Sequence, residues 1–435
     1  MRKVLSMLVS FALISTMVFA NGSQEKEPVA DKPVTLTVWH SFTQPERAAY
    51  VEEMAKKYSA AHPNVNFEIE IYPWNTFDTK WKTAVSTGDL PDLSTALPEH
   101  VIMMEQTGCL APMNDFAKDI GSFLKKPLDI MTVDGKLLAV PFYAHARVLW
   151  ERTDILEKYG LEEPKTMADL LAVAKAITDK GEYYGMAVPM KKTDFYATIY
   201  LYIFSKTLGG NLITKEGKAN LTSPEMIEAI NYLVDMYKNA SPQGSINYGD
   251  PETNDSFIQS KCAYYFESGF AINRVISGNP EIADKFKAIR VSDDNGNVGC
   301  FADYINFVVY NGKKEAIAKD FLKTLYDKDN YYKFLHLVPG GMIPTIEGVI
   351  DSPEFLDNEI IKNHIDDIRI IEQGIKEGSP IGADYGLTPS MNVVKSMGII
   401  EEMFQNIVLG KSDVQTAAKA AEDKMNKEIS NFLNR

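Results

Sequence analysis

The chain has 435 residues, 45% of them hydrophobic and 24% charged, and a formal net charge of −14. An acidic balance of that size argues against nucleic acid and anionic membrane surfaces as partners. A chain this long exceeds what one hydrophobic core usually supports, so two domains are expected.

Met1-Arg2-Lys3 is a short basic start, followed by an apolar run from Val4 to Ile14 and a small-residue pattern at Val18-Phe19-Ala20. This order reads as a secretory signal peptide over residues 1–20, cleaved after Ala20. The apolar run is shorter than the ~20 residues a membrane span needs. Cleavage would remove two cations and no acids, taking the net charge to −16. No cysteine lies near that site, so a lipid-modified N-terminus is not expected. The mature protein is expected in the periplasm, not embedded in a membrane. Cys109, Cys262 and Cys300 all sit in apolar surroundings. They read as small buried core residues, with a Cys262–Cys300 disulfide as the alternative.

Residues 21–32 are polar and contain Pro28, the pattern of a flexible tether. Val34, Leu36 and Val38 alternate with threonines, which predicts a strand with one apolar face. Pro45 and Glu46 open a helix carrying Tyr50, Met54 and Tyr58 on one stripe, stopped at His62-Pro63-Asn64. Val65, Phe67, Ile69 and Ile71 alternate again. Strand, helix and strand at this spacing predict a βαβ unit with a parallel sheet. Further on, Thr166 to Asp169 reads as a capping box ahead of a helix. Ser223-Pro224-Glu225 starts another helix, and Lys314 to Leu325 a third. Met391 to Leu409 reads as one long amphipathic stretch, and Ser412 to Gln415 as a capping box for a final helix. The class is α/β with a helical C-terminus.

In an open parallel sheet, ligands bind beyond the carboxyl ends of the strands. The first strand ends in Trp39-His40-Ser41-Phe42, directly before a helix N-terminus. Aromatic faces suit the C–H faces of sugars, and polar groups fix a hydroxyl pattern. Trp39 and Phe42 also fit a plain core reading. The same mixture of aromatic and polar residues recurs at Pro141–Arg147, Tyr264–Phe270 and Phe301–Asn306. The six histidines show no metal-ligand spacing, and no G-x-S-x-G, H-E-x-x-H or P-loop pattern is present.

Five segments in order resemble the family 1 extracellular solute-binding proteins of ABC importers, the group that includes maltodextrin-binding protein. They are Thr35–His40, Gly88-Asp-Leu-Pro-Asp92, Asp134–Tyr143, Gln259–Tyr264 and Gly340-Gly-Met-Ile-Pro344-Thr345. Ser260 and Cys262 depart from the family's G-K-A-A-M pattern, and Phe270 stands where a stacking Trp is common. The resemblance implies the two-lobed periplasmic binding protein fold of type II, with discontinuous lobes joined by hinge crossings. Lobe one would hold residues 33–143 plus 304–338, and lobe two 144–303 plus 339–435. A sugar would bind between the lobes, and the closed form would deliver it to the permease subunits. Trp39, His40, Ser41, Phe42 and Glu46 are the expected contacts from lobe one. His145, Arg147, Asp303 and Tyr304 would lie near the crossings, and Phe195, Phe270 and Tyr385 would supply faces from lobe two. The protein is expected to be a monomer, with no cofactor, no metal and no catalytic residues. A sugar phosphate or polyol phosphate held by Arg147 is the second reading. A secreted glycosidase using Glu46 and Asp303 is the third.

Overall fold

The computed structural model describes residues 32–433 apart from Met397. The expected signal peptide and residues 21–31 of the expected tether lie outside the described residues.

The first strand, β1 (Val34–His40), buries Leu36 and Val38 while Thr35 and Thr37 stay partly accessible, as its alternation requires. It runs parallel to β2 (Val65–Ile71), in register from Val34↔Val65 to His40↔Ile71, and to β3 (Leu93–Ala96) on its other side. Helix Pro45–Ala61 joins β1 to β2 and helix Trp74–Thr87 joins β2 to β3. The three parallel strands therefore point their carboxyl ends at one rim. A short hairpin follows, β4 (Thr132–Val133) with β5 (Lys136–Leu137).

The longest strand is β6 (Val140–Arg152), whose 13 residues extend roughly 43 Å at 3.3 Å each. After it come β7 (Tyr184–Met186), β8 (Cys262–Glu267), β9 (Phe286–Ile289), β10 (Phe301–Val309) and β11 (Ile343–Pro344). Among the described residues the order across the sheet is β2-β1-β3-β10-β6-β8-β7, with β9 and β11 also paired to β6. The first half of β6 pairs antiparallel with β10, and its second half pairs with β8 and β9. One strand thus changes partners midway along the sheet.

Two hydrophobic cores meet at that handover, and the first extends past it to Trp150, Tyr265, Phe286 and Ile371. One gathers Val38, Met54, Phe77, Phe142, Phe307 and Phe334. The other gathers Leu170, Tyr200, Phe204, Leu233, Phe404 and Met425. The molecule is a two-lobed α/β protein, with β6 and β10 between the lobes. On one face of these strands lies helix Ile365–Glu377. A Cβ at Gly374 would come within 2.7 Å of Cys300 Sγ and 2.9 Å of Ala146 Cβ, so glycine is what lets the helix pack this close.

Local signals and structure agree at several helix starts. Asp169 N donates to Thr166 Oγ1 at 3.1 Å and Thr166 N donates back to Asp169 Oδ2 at 3.0 Å, a reciprocal cap. Two expectations are corrected. The stretch 391–409 is not one helix: it breaks into Ser390–Ser396 and Ile399–Val408. Gly398 between them has φ 58° and leaves no room for a side chain, since its Cβ would lie 2.3 Å from Lys192 O. The final helix, Val414–Leu433, is capped by Asp413 and not Ser412, with Thr416 N donating to Asp413 Oδ1 at 2.9 Å. The three cysteines are free thiols, Cys262 and Cys300 buried, so the disulfide alternative does not hold.

Candidate functional site

With helix Ile365–Glu377 covering one face of the crossing strands, the opposite face is left to the space between the lobes. Alternation along β6 puts Tyr143, His145 and Arg147 on that face, and the pairing sets Asp303 of β10 directly across from His145. The rim of lobe one adds the end of β1. There Ser41 N donates to Thr95 Oγ1 at 3.0 Å, and Phe42 N donates to His40 Nδ1 at 3.2 Å. Arg47, on the first turn of the following helix, turns inward. It donates to Tyr143 Oη at 3.0 Å and to Gln44, with its guanidinium 5.4 Å from the Phe42 ring centre.

A lysine ties the middle of this face together. Lys395 Nζ lies 3.0 Å from both carboxylate oxygens of Glu99 and 3.3 Å from Asp303 Oδ2. It also stands 6.0 Å from the ring centre of Phe195. Glu99 occupies the first turn of helix Pro98–Glu105, directly after β3. Burial alone would raise the Glu99 carboxyl, but Lys395 and His100 outweigh it and hold it below the usual range. Asp303 is raised, by burial and by the nearby Glu99 charge, against the pull of Lys395.

Towards lobe two the face ends in a second charged group. Arg147 is paired with Glu267, which also takes Arg274 Nη1 at 2.8 Å, Ser268 N at 2.6 Å and Ser268 Oγ at 2.9 Å. Tyr196 donates to Asp250, and its ring lies 4.9 Å from the Arg147 guanidinium. Burial would push the Glu267 carboxyl up, yet Arg147 and Arg274 hold it ionised below the usual range. Phe270 stands edge-on to His145, ring centres 6.3 Å apart.

Several buried polar atoms on this face have no protein partner: His40 Nε2, Ser41 Oγ, Arg47 Nε, His145 Nδ1 and Arg147 Nε. Buried polar atoms are costly to leave unpaired, and five of them gather on this face. Both imidazoles are neutral. Burial, then Arg47, lowers His40 to about 4. Burial, then Arg147, lowers His145 to about 3. Below pH 6.5 the unfolded chain takes up protons that these folded rings refuse. Their contribution to stability should therefore be complete above that pH and fall away as pH drops towards 4. Chemical unfolding of the wild type and of His40→Gln between pH 4 and pH 7 checks this: the variant's stability should depend less on pH.

Of the residues expected from sequence, the structure brings together His40, Ser41, His145, Arg147, Asp303, Phe195 and Phe270. It packs three elsewhere and leaves two, Glu46 and Tyr385, exposed. Phe42 is 1% exposed and packs in the core against Tyr143, Phe307 and Phe334. The Trp39 indole donates to Glu70 at 3.0 Å and lies edge-on to Tyr72, on the side of β1 away from His40. Glu46 points to solvent. Tyr304 faces helix Ile365–Glu377, one position out of phase with Asp303, and is fully buried. Tyr385 is 55% exposed and accepts from Asn211. Tyr143 and Glu267 lie in the segments the sequence singles out but not among the expected contacts, and Arg47, Glu99 and Lys395 lie outside both. Glu99 obeys the strand-end rule that singled out His40, so it was readable; Lys395 has no local signal.

The same architecture recurs in known proteins. The Escherichia coli protein YcjN, named as an ABC transporter periplasmic-binding protein, is 26% identical over 98% of both chains. The diacetylchitobiose-binding protein DasA of Streptomyces coelicolor is 25% identical, matching 91% of this chain and 90% of its own. Among solved structures, an ABC transporter solute-binding protein of Thermotoga lettingae bound with α-D-tagatose superposes with a TM-score of 0.74 at 23% identity, covering 91% of this chain and 99% of that one. Residues 43–332, more than half of the chain, match the family model described as bacterial extracellular solute-binding protein; with its two lobes and the polar face between them, this chain belongs to that family.

Proposed function

We propose that the face between the lobes binds a neutral carbohydrate or polyol, and that the protein carries it to the permease of an ABC importer in the periplasm, as a binder and not an enzyme. The observation that carries this reading is the row of unpartnered buried polar atoms on neutral imidazoles, a hydroxyl and two guanidiniums. Hydroxyl groups both donate and accept, so they can satisfy all of them. Phe270 and Phe195 flank that row as apolar faces. The sugars named for the Streptomyces and Thermotoga relatives are of this class.

A phosphate ester fits less well. Lys395 is already shared by Glu99 and Asp303, and Arg147 and Arg274 by Glu267. Of the four cations on this face, Arg47 makes no ion pair with an acid among the described residues. Four cations, Lys395, Arg147, Arg274 and Arg47, stand against the three carboxylates of Glu99, Asp303 and Glu267, so a dianion would find only one uncompensated positive charge. For the division of the chain, we take lobe one as 33–143 with 304–338 and lobe two as 144–303 with 339–435. Support for this comes from the handover of β6 from β10 to β8 and β9.

A thermal-shift screen against neutral sugars, polyols and their phosphates tests the reading. A ligand at 100 times its Kd stabilises the folded state by about 2.7 kcal/mol. At least one neutral compound should give a shift. If only phosphates shift the transition, the neutral-ligand reading fails. Phe270→Ala is expected to weaken binding of that ligand roughly fivefold, about 1 kcal/mol of stacking, with little loss of fold. Unchanged affinity by calorimetry would remove Phe270 from the site.

A further inference from the structure

We infer that Lys395 is a latch: its ammonium holds the two lobes together by protein–protein bonds that need no ligand. It rests on the reading of the interlobe face as the binding site, but not on which ligand fills it.

The three charges belong to different parts of the chain. Lys395 sits on helix Ser390–Ser396, which packs against the final helix; its neighbours Val393 and Val394 are in the second core, while Met391 at the start of the same helix reaches the first. Glu99 starts helix Pro98–Glu105, whose Val101 and Met104 are in the first core. Asp303 lies on the crossing strand β10. On the lobe division taken above, the Lys395–Glu99 contact joins elements of opposite lobes, and Asn392 Nδ2 adds a second bond across, to Glu99 O at 3.4 Å. The side chains of Lys395, Glu99 and Asp303 are only 11%, 10% and 9% exposed. Two carboxylates share this one ammonium. Without it they would face one another with like charge in a water-poor setting, which drives them apart.

Such a latch is strong enough to bias the lobes and weak enough to release. The attraction within a buried ion pair is largely offset by the hydration its groups regain on opening. Glu99 and Asp303 are also the acceptors that a ligand's hydroxyls would use. A ligand entering the cleft can then exchange with Lys395 at modest cost, trading one closing contact for another.

Small-angle X-ray scattering of the ligand-free protein tests this directly. Wild type should be compact. Lys395→Gln should show a larger radius of gyration, because the bridge is lost and the two carboxylates repel. Glu99→Gln, which removes only the anchor in lobe one, should expand it as well and guards against a folding defect confined to one variant. Circular dichroism melting would confirm that each variant is folded. Identical scattering from wild type and both folded variants would overturn the latch. That result would leave the sugar reading standing, since the thermal-shift screen fails or succeeds independently of it.

Discussion

Glu267→Ala is expected to lower folding stability by about 3–5 kcal/mol, the range for removing one partner of a buried ion pair. Glu267 ends β8, is 1% exposed, and accepts from Arg147, Arg274 and Ser268 at once. Without it Arg147 loses its acidic partner beside the crossing strand, and Arg274 keeps only Asp250, 3.6 Å away. Trp150 Nε1 donates to the Glu267 carbonyl at 2.9 Å, so tryptophan fluorescence during chemical unfolding reports from next to the lesion. Glu267→Gln keeps an acceptor and loses the charge, and should fall between the two. An alanine variant as stable as wild type would show that the charged group at this end of the face is not structurally coupled.

The second large effect is expected on binding. Asp303→Ala should weaken the ligand by roughly 10–100-fold, since a hydrogen bond to a charged group contributes about 1.5–3 kcal/mol. Tyr304 N holds Asp303 Oδ1 at 3.0 Å and Lys395 holds Oδ2. The carboxylate is thereby fixed in place beside His145, with lone pairs to spare for hydroxyls. Tyr304→Phe is the matched control. Its hydroxyl lies on the far face of β10, 3.4 Å from Gly378 O, and its loss should leave affinity unchanged by calorimetry. Equal losses in both variants would mean that Asp303 acts through the strand and not through the cleft.

Where the sequence was legible, the signal was local and periodic. Alternation in β1 and β2 and the Tyr50–Met54–Tyr58 stripe marked the first βαβ unit, because β1 and the helix each bury one face, while in β2 the burial fades from Val65 to the exposed Ile71. The capping pairs at Thr166 and Ser223 marked helix starts by their own hydrogen bonds. β6 was harder. Both of its faces are buried over most of its length, so no alternation shows where it changes partners.

Choosing side chains within an element needs its phase, and there the expectations slipped. Glu46 and Arg47 are neighbours, but Arg47 lies three residues before Tyr50 and so shares the buried stripe, a signal that was present and unused. Tyr304 was paired with Asp303 although adjacent strand residues face opposite ways. Lys395 lies 296 positions from the Glu99 it bonds, and only the assembled fold brings them together.

The most direct test of the account is isothermal titration of the purified protein with a neutral sugar from the thermal-shift screen and, in parallel, with the phosphate ester of that sugar. The neutral sugar should bind at one site and lose affinity in Asp303→Ala, while its phosphate binds more weakly or not at all. Tighter binding of the phosphate, undiminished in Asp303→Ala, would contradict the claim that a neutral hydroxylated ligand is held on the face formed by His40, His145 and Asp303.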